Sequence, residues 1–235
     1  MKLTANWNAM RGLALHTNKL SEKARVHYEK AYQGESSNSD ALSAYSLLLI
    51  REGEFDKALE VATAARKCAD KPKRIFNARG NRALALWKLG RIEDAVRIYE
   101  RLFQEAKSGA AYGTLGFLYI ALGDKTQDYE KALSFNQEAV EYDDEDAVTL
   151  DNLAQTYMRL ERWEEAEVWF RKALKRDENQ FDTLVCLAKC VLRRGEVEEG
   201  RGLLKKALER PFSHLNTVDR KMAEDMLARL DAPND

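Results

Sequence analysis

The chain has 235 residues, with 38 Lys and Arg against 39 Asp and Glu, and a formal net charge of -1. That balance gives no global pull toward nucleic acid or membrane. Three cysteines without a disulfide-like framework fit a reducing compartment, and Met1-Lys2-Leu3-Thr4 leads into Asn6 and Trp7 without an apolar run. Neither a signal peptide nor a membrane span is therefore expected, and the cytoplasm is the expected location.

A small residue recurs in one setting: Ala24, Ala58, Ala95, Ala132, Ala166 and Gly200, separated by 34, 37, 37, 34 and 34 residues. A second small or apolar place follows seven residues later, at Ala31, Ala65, Leu102, Ala139, Ala173 and Ala207. A third lies twelve residues earlier in five copies, at Gly12, Ser46, Ala83, Ala154 and Ala188. In the fourth copy it is Gly116, sixteen residues before Ala132, and Asp124-Lys125-Thr126-Gln127 reads as an insertion between the two halves. Each half carries apolar residues at three- and four-residue spacing, so each unit is two helices.

In chain order, the first unit covers about 5–38 and opens with Leu3, Trp7, Met10, Ala14 and Leu15 on one helix. Array ends need a polar outer face, so Trp7 reads in one of two ways: partly buried under the unit's own second helix, or packed against a second copy, a partner or an upstream segment. Gly34 to Ser39 is a loop, followed by a second unit at 39–75. Lys71-Pro72-Lys73 is the next loop, before a third unit at 76–108. The fourth, fifth and sixth units occupy 109–146, 147–180 and 181–212. Gly53, Gly90, Gly123 and Gly195 fall where a first helix stops, a place that favours a left-handed residue. Pro211 separates a last helix, 217–230, with Val218, Met222, Met226 and Leu230 on its apolar face.

Chemistry-bearing clusters are absent from this pattern. His16, His27 and His214 are scattered, and no cysteine stands at ligand spacing from any of them. Cys186 and Cys190, four apart on one helix, read as packing residues. Glu164-Glu165 and Glu198-Glu199 start second helices, where they complement the helix dipole. No phosphate loop or activated nucleophile is visible, so no catalytic residue, metal, cofactor or small-molecule substrate is expected. Residues 66–107 carry a net +7 and residues 124–151 a net -8. The acidic stretch and the lack of interleaved aromatics argue against nucleic acid.

Tyr112, Leu115, Gly116 and Tyr119 in one half, and Ala166, Phe170 and Ala173 in the other, resemble the signature of tetratricopeptide repeat proteins. Arg79 and Arg82 in the third unit, and Asn8 and Arg11 in the first, depart from it. The resemblance implies an all-α, right-handed superhelical solenoid of about six helix-turn-helix repeats with a C-terminal capping helix, one domain over 1–235. It also implies an inner face, lined by first helices, that holds an extended or helical peptide. The family's groove positions fall on Met10, Leu13, Ala44, Leu47, Asn81, Leu84, Thr114, Phe117, Asn152 and Gln155. Asn81 and Asn152 are singled out because a side-chain amide both donates to and accepts from a peptide backbone. The basic clamp of the subgroup that binds chaperone tails has no counterpart here. The resulting expectation is a non-enzymatic scaffold for a protein or peptide partner. A self-associating assembly protein is an alternative distinguished by mass in solution, and a regulatory or catalytic array is one that lacks a converging His/Asp/Glu cluster.

Overall fold

A computed structural model describes residues 2–232; residues 1 and 233–235, the ends of the expected single domain, lie outside them. Among the described residues there are thirteen helices and no strand. The first six are α1 (Lys2–Thr17), α2 (Ser21–Gln33), α3 (Ser39–Glu52), α4 (Phe55–Cys68), α5 (Pro72–Lys88) and α6 (Ile92–Glu105). They make one compact unit, Met1–Glu105. A second unit, Ala106–Asp235, holds α7 (Gly109–Thr126), α8 (Glu130–Tyr142), α9 (Ala147–Arg159), α10 (Trp163–Arg176), α11 (Phe181–Arg193), α12 (Val197–Leu208) and α13 (Arg220–Asp231). The fold is an all-α helical repeat.

The starts of α3, α7, α9 and α13 carry a side-chain cap. Asn38 accepts from Ala41 N at 3.0 Å, Ser108 from Ala111 N at 3.3 Å, and Asp146 from Val148 N and Thr149 N. Each satisfies a donor the helix leaves free. Pro72 opens α5 rather than closing a loop, since a first-turn proline forfeits no helical hydrogen bond. The expected Lys71-Pro72-Lys73 loop is therefore only its first residue.

The recurring small residues are the contacts between the two helices of each pair. Ala24, Ala58, Ala95 and Ala166 are fully buried and Ala132 nearly so. At Gly116 an added Cβ would come 2.1 Å from Asn136 Oδ1, and at Gly12 2.5 Å from Tyr28 Cδ1. The repeat in sequence is a repeat of close approach.

In five of the six copies a left-handed residue ends the first helix seven residues after the third small place. Gly53, Gly90 and Gly195 have φ of 87°, 77° and 87°, but Lys19 and Glu161 hold the same place at 60° and 58°. Gly123 corrects the expectation. It lies inside α7, which runs on to Thr126, and the left-handed residue is Gln127 at φ 60°. The four extra residues thus lengthen the first helix by about one turn instead of separating two halves. Asp124, on that added turn, accepts from Tyr129 Oη at 2.8 Å and Arg159 Nε at 3.1 Å.

The terminal helix begins at Arg220, three residues after the expected start. Residues before it are held by Asp182, whose carboxylate accepts from Asn216 Nδ2 at 3.1 Å, Thr217 N at 2.8 Å, Thr217 Oγ1 at 3.0 Å and Val218 N at 3.2 Å. Val218, Ala223, Met226 and Leu230 pack on the core of the second unit, while Met222, expected among them, is 44% exposed.

Candidate functional site

In the first unit, α3 packs against both α1 and α5, so three first helices lie side by side. Gly12, Ser46 and Ala83 are buried in the helix contacts. A helix turns about 100° per residue, so the next residue of each points partly outward. Those residues are Leu13, Leu47 and Leu84, and all three are half-buried. Ala44 is half-buried one turn before Leu47. Met10 is more open, at 60%, and its sulfur accepts from Asn38 Nδ2 at 3.5 Å.

Asn81 is half-buried and its Nδ2 is engaged within the fold, donating to Ser43 O at 2.7 Å and to Ser46 Oγ at 2.9 Å. In the second unit Asn152 is 3% exposed and donates to Gly113 O at 2.7 Å. The two asparagines share a register. Each stands two residues before its own small residue and reaches the carbonyl three residues before the small residue of the preceding first helix. The expectation that these amides face a bound backbone is corrected: they join one first helix to the previous one.

Gln155 is likewise buried, its Nε2 donating to Asp151 Oδ2 at 2.6 Å. Thr114 and Phe117 are half-buried on α7. At the register of the three leucines, the second unit therefore presents Phe117, a buried Gln155 and the half-buried Lys189.

Sequence reasoning passed over Asp151. Its carboxylate is buried, with Thr183 Oγ1 at 2.7 Å from Oδ1, and loss of hydration pushes it up to about 6 even though Thr183 and Gln155 favour the charged form. The signal available was an aspartate one residue after Leu150 on α9. Burial also pushes Cys190 up to about 11 and raises Cys186 further, so neither thiol is poised as a nucleophile. Among the described residues, no group of three or more His, Cys, Asp or Glu could hold a metal ion. No described helix is long and apolar enough to cross a membrane.

Two family models match this chain. Residues 45–111 match a tetratricopeptide repeat model, and residues 117–207 match the model described as anaphase-promoting complex, cyclosome, subunit 3. The chain is a tetratricopeptide repeat protein. It is similar to a thermophilic TPR protein of Thermus thermophilus, at 21% identity and a TM-score of 0.68, over 82% of this chain and 98% of that one. It is also similar to a chain of the APC/C hetero-tetramer Cut9-Hcn1, at 17% identity and a TM-score of 0.69, over 97% of this chain and 43% of that one. PilW, a type IV pilus biogenesis factor, shows 16% identity and a TM-score of 0.65, over 86% and 91% of the two chains. These likenesses carry the fold. No curated protein sequence matches the chain.

Proposed function

We propose that this chain is a non-enzymatic scaffold that binds a peptide segment of a partner protein along the first helices of its first compact unit. Repeat proteins of this family act in general as protein-interaction scaffolds. The observation that carries the finer reading is the row of half-buried Leu13, Leu47 and Leu84 on three adjacent helices. Half-open apolar side chains at one repeated height offer a partner's apolar residues a surface to cover, at about 25 cal/mol per Å² removed from water. In the second unit the same height carries Phe117 followed by a buried amide and a lysine, so the unbroken apolar row is that of the first. The three cysteines are free, in keeping with a reducing compartment such as the cytoplasm.

Peptide display on the full chain, followed by anisotropy titration of the selected peptides, tests this. The selected peptides carry two or more apolar anchors and lose about tenfold in affinity, roughly 1.4 kcal/mol, against Leu47→Glu or Leu84→Glu. Unchanged affinity in both variants, with helicity intact, would move binding to another surface.

A further inference from the structure

One edge of α1 is apolar and open. Leu3 is 88% exposed and Trp7 is 60% exposed, with Met10 and Ala14 continuing the edge. Their spacing of four, three and four residues is that of a helix-to-helix seam, about 60° wide around the helix. On the opposite side Ala5, Ala9 and Gly12 are buried, and α1 packs against α2. The helix is thus apolar on two sides, and only one of them is covered.

Trp7 has a defined seat. Its ring meets the His27 ring edge-on, with centroids 5.8 Å apart, and His27 Nδ1 lies 2.8 Å from Asn8 Oδ1. Positive charge surrounds this place. Arg11 and Lys30 are exposed, and both are near enough to disfavour protonation of His27, which burial already lowers. Helix α1 itself carries no acidic residue.

We infer that the edge formed by Leu3, Trp7, Met10 and Ala14 docks an amphipathic helix of a partner protein whose seam is flanked by carboxylates facing Arg11 and Lys30. Charge complementarity selects an acidic flank. A second copy of the same edge would bring Arg11 and Lys30 against their own likeness. A helix lying on lipid presents a broad apolar face, whereas this seam is narrow and α1 is fixed from behind by α2.

Two synthetic helices of about three heptads test it, identical in a Leu/Ala seam but flanked by Glu in one and Lys in the other. Titrated calorimetrically into the full chain, the Glu-flanked helix binds about tenfold or more tighter than the Lys-flanked one. Trp7→Glu and Leu3→Glu, both at exposed positions, abolish that binding with circular dichroism unchanged. The double variant Arg11→Glu with Lys30→Glu reverses the preference, which simple stickiness of an apolar patch would not do. Equal affinity for the two helices overturns the inference. So does Trp7-dependent binding to phosphatidylserine vesicles without helix binding, or a Trp7-dependent dimer in sedimentation.

Discussion

The side-chain amide of Asn152 lies 2.7 Å from the carbonyl oxygen of Gly113, and Asn81 stands in the same relation to Ser43. These are joints between consecutive first helices. Asn152→Ala is expected to destabilise the chain by about 1–2 kcal/mol, because the Gly113 carbonyl loses its side-chain donor in a buried setting. Asn81→Ala loses less, since its site is more open to water. Urea unfolding measures both, and a variant as stable as the parent would remove the joint.

Two glycines answer the same substitution with opposite signs. Gly116→Ala drives a methyl into Asn136, which is fully buried and cannot withdraw, so a loss of about 1–3 kcal/mol is expected. Gly202 lies exposed in α12, and an added Cβ there meets nothing within 4 Å. Gly202→Ala should stabilise by about 0.5–1 kcal/mol through helix propensity alone. Thermal melts of the pair provide the comparison, and equal shifts would contradict it.

Glu161 occupies the left-handed position that Gly53, Gly90 and Gly195 hold elsewhere. A side chain at that φ is strained by roughly 1 kcal/mol. Glu161→Gly is therefore expected to raise stability at the end of α9, and the corresponding change at Gly195, Gly195→Glu, to lower it. Denaturant midpoints that move the other way would show that the turn prefers a side chain.

Asp151 gives the chain a pH dependence of definite sign. Its folded pKa, about 6, lies above its ordinary value of 3.8, so between these limits the folded state binds more protons than the unfolded one. The stability tied to its proton is full below about pH 4 and lost as the pH rises through about 6, on the order of 2–3 kcal/mol. Arg159, Asp182 and Cys186 also act on this group. Asp151→Asn should be the more stable protein at pH 7.5, with the difference vanishing near pH 4. Parallel unfolding titrations check this, and a difference independent of pH would assign the burial cost elsewhere.

The repeat register was readable because close helix approach leaves a trace in composition: Ala24, Ala58 and Ala95 are fully buried where paired helices meet. What a polar side chain does at a given height left no such trace. Asn81 and Asn152 carry the same chemistry whether they meet a peptide or a neighbouring carbonyl, and only the spacing between helices decides. Gly123 was misread for a related reason. It stands at the usual stopping distance, yet the four extra residues carry the helix past it, and its missing side chain instead makes room for Tyr129, whose Cδ1 would lie 2.5 Å from an added Cβ. Asp151 went unnoticed because its burial depends on α11, a separate helix whose Thr183 reaches its carboxylate.

The extra turn of α7 carries a rule about length. Four residues rotate a helix through about one revolution, so every side chain before and after them keeps its heading while the rod grows by roughly 6 Å. One or two residues would have swung Asp124 away from Arg159 and turned the following loop aside. At this point the chain admits lengthening in whole revolutions, which makes α7 a natural place to graft a complete turn.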